Sequence, residues 1–449
     1  MLRTVSLLSF TSALLAQEWR LEAALTPPPA RQGACLVHDS ARGVSVLFGG
    51  YDWTPNVWFA DTWEYDGAAW VQRQTGVAPS ARERAGMCYD ESRGMVVLFG
   101  GLHGGTFQPV TYFGDTWEYD GTTWQPISPP GISPSARFTE LTYDAGRGLT
   151  VLFGGYDAGG RRSDTWEYDG TAWAPRQTPH SPPLAADWAV TFDRRRGVVV
   201  AHPGFLMGSS GPFETWEYDG ADWTKASFVT SPGAYPLPKM TYDRRRDVVV
   251  LVGCGYTGYP DTWEYDGTDW QLRATHPTND LRGQTLTFDD TSGSLLMFGG
   301  EKAVGPYIVG TNETSRFATF AAFETLGAPC PGTLGAAALT TVGNAVPRLG
   351  TTFAGQVVNL VGSDLPILFL GLAEVGTSLG GIGLPACTQH ARADVALPLT
   401  NQAGSAAWQL TIPVFPDLQG VRLAAQALVL DASLQPRAAT NGARLTVGW

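Results

Sequence analysis

Six histidines and five cysteines are the residues of this 449-residue chain best suited to metal or nucleophilic chemistry, and their spacing offers neither. His38, His103, His180, His202, His276 and His390 are scattered without ligand spacing. No two of Cys35, Cys88, Cys254, Cys330 and Cys387 are placed as a zinc or C-x-x-C pair. The chain also lacks a G-x-S-x-G elbow, a P-loop and H-E-x-x-H. No catalytic residue, metal site or cofactor is therefore expected. What the sequence does offer is recognition chemistry. Tyr51, Trp53, Trp58, His103, Tyr156, Phe205, Tyr256 and Tyr259 fall in segments of changing length between repeated motifs. Rings with a polar edge suit stacking on sugars or anchoring a protein interface. The competing use is packing one loop onto another. Glu140 and Lys239 are isolated charges in otherwise small or polar positions, placed either to pair with each other or to meet a ligand.

The elements that must carry these residues repeat. Asp-Thr-Trp-Glu-Tyr-Asp-Gly, followed three residues on by Trp, occupies residues 61–70, 115–124, 164–173 and 261–270, with Glu replacing the first Asp at 214–223. Between copies lies an apolar strand ending in Gly-Gly, as at Gly49-Gly50, Gly100-Gly101 and Gly154-Gly155. Each such strand follows a polar turn opened by Asp39, Asp90, Asp144, Asp193, Asp243 or Asp289. One unit thus reads strand A, tight turn, strand B, variable loop, strand C, Asp-Gly turn, strand D. Asp-Gly between short strands signals a hairpin, because the turn requires positive φ. Four antiparallel strands in about 50 residues make one propeller blade.

The double glycine, the strand C Tyr and the strand D Trp resemble the Kelch repeat family over residues 18–320. The resemblance implies a β-propeller, often a binding scaffold. Six A–B hairpins but five full C–D hairpins predict six blades. Trp19 stands before a Pro-rich segment as Trp70 does, so the N-terminus is expected to supply the missing strand D, with residues 322–325 as the alternative. The Trp and Glu repeated in every blade are expected to pack blades together rather than bind sugar. Strand A alternates. His38, Tyr89, Tyr143, Phe192, Tyr242 and Phe288 form a large row, expected between blades. The row holding Cys35, Gly86, Glu140, Ala189, Lys239 and Thr285 is expected to face the central channel. On that reading Cys35 and Cys88 are either a disulfide or two small channel residues. Arg42 and its counterparts in the A–B turns are expected to form exposed pairs with Asp, of little net value.

Residues 1–16, with Arg3 before an apolar run, have the layout of a secretory signal peptide. Export would place the protein outside the cell or in its envelope. No later segment is apolar enough for a transmembrane span. Residues 17–325 then form the propeller. Residues 326–449, low in charge, are expected to fold as a small antiparallel β-sandwich. That segment resembles a C-terminal β-domain of exported bacterial repeat proteins, and Cys330 and Cys387 within it are expected to pair as a disulfide.

The net charge of −12 argues against a nucleic-acid partner. The five motif copies alone hold 17 acidic residues and no basic one, and the remaining chain is net +5. The acidity therefore records the blade template rather than a partner. The expected architecture is all-β, a six-bladed Kelch-type propeller followed by a sandwich. The expected function is non-enzymatic binding of a glycan or protein through the B–C and D–A loops, in association with the cell surface. The alternatives are a carbohydrate-active enzyme, oxidase- or mutarotase-like, at the channel mouth, and a structural envelope component.

Overall fold

The computed structural model describes residues 17–319 apart from 106–107, 186, 205–213, 234, 255–259, 277, 279–281 and 305–306. Beyond 319 it describes mainly strands. The chain divides into two units. One is Glu18–Ala318, and the other holds Thr319–Trp449.

The first unit is a six-bladed β-propeller. Blade 1 is Cys35–Asp39, Val44–Phe48, Thr62–Tyr65 and Trp70–Arg73, hydrogen-bonded in that order as strands A to D. Blades 2 to 5 repeat the order, with strands A at Gly86–Asp90, Arg137–Asp144, Trp188–Asp193 and Lys239–Asp243. Blade 6 takes Thr285–Asp289, Ser294–Phe298 and Thr314–Thr319 as strands A to C, and Gln17–Glu22 as its strand D. The strands A neighbour one another all the way round, Thr285–Asp289 meeting Cys35–Asp39. Closure by the N-terminus leaves Ala322–Leu326 to pair with Gly442–Thr446 in the second unit.

Each strand D Trp reaches back to the preceding blade. The indole nitrogens of Trp124, Trp173, Trp223 and Trp270 donate to the strand C Thr62, Thr116, Thr165 and Thr215, at 2.8–3.0 Å. Trp70 and Trp19 complete the circle on Thr314 at 3.1 Å and Thr262 at 2.6 Å. Trp19 is therefore the sixth copy, although its strand C lies almost 300 residues away in sequence. The strand C Tyr stacks on the Trp, as in Tyr119–Trp124 at 5.1 Å. Its hydroxyl donates to the Glu of the preceding blade, Tyr119 to Glu64 and Tyr168 to Glu118, both at 3.0 Å.

That Glu also anchors the turn arginine. Asp39 accepts from the backbone N–H groups of Ala41 and Arg42 and pairs with the Arg42 guanidinium at 2.6 Å. The same guanidinium donates to Glu64 at 2.6 Å. Arg93, Arg147, Arg196 and Arg246 repeat the bridge. These pairs are not the loose surface pairs expected, since each turn Asp is buried. In blade 6 the charge changes strands. Ser292 replaces the turn Arg, and Arg316 on strand C replaces the Glu and donates to Asp289 at 2.8 Å. Burial pushes the Asp289 carboxyl up, but Arg316 outweighs it and holds it below its ordinary range.

The strand A alternation holds, and the small row does more than face the channel. Cys35 and Val37 pack on Met87 and Tyr89 of blade 2, while Leu36 packs on Leu296 and Phe298 of blade 6. Both faces of a blade meet neighbouring blades, so the small row of one blade receives the large row of the next. The same small row also borders the channel, where Glu140 and Lys239 meet across the ring. Cys35 and Cys88 are unpaired and buried, and burial pushes both thiols up to about 12. Thiols held protonated in this way are structural.

In the second unit a sheet runs from Ala322–Leu326 through Gly442–Thr446, Arg422–Leu430 and Leu365–Gly371 to Val395–Pro398. Thr352–Val358 lies between Ala338–Thr341 and Ala406–Thr411 in another sheet. Cys330 and Cys387 lie outside the described residues. Among the described residues, no helix is long and apolar enough to cross a membrane.

Candidate functional site

Three buried arginines set the loops of the variable face. Arg31 and Arg82 precede strand A, and Arg137 begins it. Each grips the first Asp of its blade's strand C motif with both guanidinium arms: Asp61 at 2.6 and 2.9 Å, Asp115 at 2.6 and 2.9 Å, Asp164 at 2.5 and 3.0 Å. Arg31 and Arg82 also lie over Phe59 and Phe113 at 3.9 and 4.0 Å. In blade 5 Tyr235 takes this place and donates to Asp261 at 3.2 Å. Planar two-armed pairing fixes orientation as well as charge, so the B–C loop and the approach to strand A are held as one body. The Gly-Gly pair makes this approach feasible. Gly49 has φ +69°, and a Cβ there would fall 2.5 Å from the Arg82 carbonyl oxygen.

The loops so held enclose a cup of about 260 Å³ at the channel mouth. Its floor is the ion pair between Lys239 of blade 5 and Glu140 of blade 3. Its rim includes a second pair across the ring, Arg84 of blade 2 with Asp187 of blade 4. The Arg84 guanidinium lies 3.8 Å above the Phe138 ring. Trp53, Tyr112, Phe138 and Trp188 supply aromatic wall. Trp188 is 3% exposed, and its indole N–H has no partner among the described residues. Beneath the floor a space of about 160 Å³ continues to the far mouth. There Glu91 of blade 2 forms ion pairs with Arg194 and, at 3.4 Å, with Arg244, and Arg244 holds Asp290 at 2.9 Å. The channel is thus crossed by ion pairs at three levels.

Of the residues singled out from sequence, Glu140 and Lys239 meet as one pair, and Trp53 borders the cup at 41% exposure. Tyr51, Trp58 and His103 form a stack instead, Tyr51 on Trp58 at 4.2 Å and Trp58 on His103 at 4.5 Å. Tyr51 is buried, and His103 is tied to the Ala81 carbonyl at 3.0 Å. Tyr156 stacks on Phe138 at 5.7 Å, behind the wall. Phe205, Tyr256 and Tyr259 lie outside the described residues. Sequence reasoning missed Glu83, Arg84 and Asp187. The usable signal was position. Gly33, Arg84, Asp187, Leu237 and Gly283 each stand six residues before a turn Asp, and blade 3 is one residue shorter there. Glu83, beside Arg84, is pushed up to about 7 by burial, against the pull of Arg84.

The arrangement suits a small polyhydroxylated ligand: apolar edges on the wall and paired charges below. The chain therefore belongs by fold to the six-bladed propellers, with its candidate site at the mouth of the ring. No family model and no curated protein matches it. Among solved structures it is similar to one described as "Structure of YjhT", at 14% identity and a TM-score of 0.46, covering 65% of this chain and 96% of that one. The propeller assignment rests on the six four-stranded sheets and their closure.

Proposed function

We propose that this protein is an exported, non-enzymatic binding protein whose Kelch-type ring takes a glycan in the cup. The Gly-Gly, Tyr and Trp positions support the Kelch reading, and residues 1–16 support export. The C-terminal unit then serves, as a β-sandwich, to hold or space the ring at the cell surface. The observation that carries the binding role is the cup itself. It is closed below by Glu140–Lys239 and walled by Trp53, Tyr112 and Trp188, on the face where the loops vary. Cups with apolar walls and a few placed polar groups are the usual form of small-ligand sites.

The test is a glycan-array screen of the mature protein together with metal analysis. Saccharide binding that falls on Trp53→Ala supports the reading. Bound metal with turnover overturns it in favour of a carbohydrate-active enzyme. Capture of a protein with no glycan bound overturns the glycan assignment. Glu83 favours the enzyme alternative, since a carboxyl titrating near neutrality suits a general acid.

A further inference from the structure

The Arg84–Asp187 pair carries an inference that rests on the glycan reading of the cup and narrows it. Arg84 occupies a place where the chain is left-handed, with φ 57°, as at Gly33 (φ 61°), Leu237 (φ 53°) and Gly283 (φ 63°). The reason is a run of backbone hydrogen bonds from blade to blade. The Gly33 N–H donates to the Gly283 carbonyl at 2.8 Å, and the Arg84 N–H to the Gly33 carbonyl at 2.7 Å. Glycine fills this place in two blades at no steric cost, whereas a side chain there costs about 1 kcal/mol. Two side chains, Leu237 and Arg84, accept that cost beside the cup, and of the two only Arg84 brings a charge to it. Yet the guanidinium is not left available. It lies flat on Phe138 and is held by Asp187, whose side chain is 7% exposed. Lys239, the cation of the floor, is likewise held by Glu140. Among the described residues, both cations that line the cup are thus neutralised from across the ring.

We propose that Asp187 is a specificity-determining residue: by occupying Arg84 it makes the cup accept a neutral, hydroxyl-rich sugar ring and reject the same ring bearing a carboxylate. A carboxylated sugar would have to displace Asp187 and leave that carboxylate buried and unpaired beside it. Rejection by such an uncompensated charge is strong. Hydroxyl groups need no displacement, since they bond to the outer lone pairs and protons of groups already paired.

The experiment compares sugars differing only at the sixth carbon, galactose against galacturonate and glucose against glucuronate. Binding to the full chain is followed by calorimetry and tryptophan fluorescence. The wild type is expected to bind the neutral member at least about tenfold more tightly. Asp187→Asn is expected to gain at least about tenfold for the acid, and adding Arg84→Gly is expected to abolish that gain. Glycine is native to this place in blades 1 and 6, so the second substitution preserves the backbone, which circular dichroism checks. Equal binding of acid and neutral sugar by the wild type, or an Asp187→Asn variant with an unchanged ratio, overturns the specificity while leaving the glycan reading. No binding of any of the four sugars overturns both.

Discussion

Trp19 closes the ring, and its removal should show what closure contributes. Its indole is 5% exposed, packed on Phe317 at 5.3 Å and His276 at 5.2 Å, and it donates to Thr262 of blade 5 at 2.6 Å. Truncating a buried Trp costs about 3–5 kcal/mol, and the hydrogen bond accounts for about 1 kcal/mol of that. For a unit of this size each kcal/mol moves the thermal midpoint by about 2 °C. Trp19→Ala should therefore lower the midpoint of propeller unfolding by roughly 6–10 °C. Trp19→Phe keeps most of the apolar contact and should lower it by about 2–4 °C. Thr262→Val tests the bond itself. A double-mutant cycle of Trp19→Phe with Thr262→Val should give a coupling of about 1 kcal/mol. The assay is urea and thermal unfolding followed by circular dichroism. A Trp19→Ala midpoint within about 1 °C of wild type, or a cycle with no coupling, would refute closure by the N-terminal strand as a source of stability.

Three further outcomes are expected. Arg316→Glu should destabilise the ring by about 3–5 kcal/mol, because it sets a carboxylate against buried Asp289. Adding Ser292→Arg restores the turn-arginine template of the other blades and should recover most of the loss in urea unfolding. Glu83 gains protons in the fold relative to the unfolded chain, so its burial should cost stability progressively from pH 4.5 to about 7 and fully above. Glu83→Gln should remove that slope, gaining up to about 3 kcal/mol at pH 8, measured as the pH dependence of the urea midpoint. His202 and His276 are both pushed down to about 4 by burial. The unfolded chain protonates first, so stability should fall between pH 6.5 and 4, and His202→Gln should flatten that limb of the melting-temperature profile.

Much of the fold was legible because the blade template is local. Asp66 and Gly67 make their turn from their own side chain and φ, and the alternation along strand A needs only its own period. Trp19 was legible as a displaced copy because the Pro-rich segment after it matched the one after Trp70. That the small row also packs under the next blade was not. Alternation tells which residues share a face, whereas what covers that face depends on the neighbouring blades. The aromatic candidates divided for the same reason. Tyr51, Trp58 and His103 are equivalent to Trp53 in type, yet they stack on one another, and of these four Trp53 alone borders the cup.

By itself the chain determined its period, its strand order and the residues that recur in every blade, because each depends on contacts within some 50 residues or on exact repetition. Only the closed ring decided the site. Arg84 and Asp187 are 103 residues apart, and Glu140 and Lys239 are 99 apart. Each pair joins blades two steps apart round the ring, and no local pattern links them. Rotation about the channel axis brings them face to face, in a space narrow enough that opposite charges must pair.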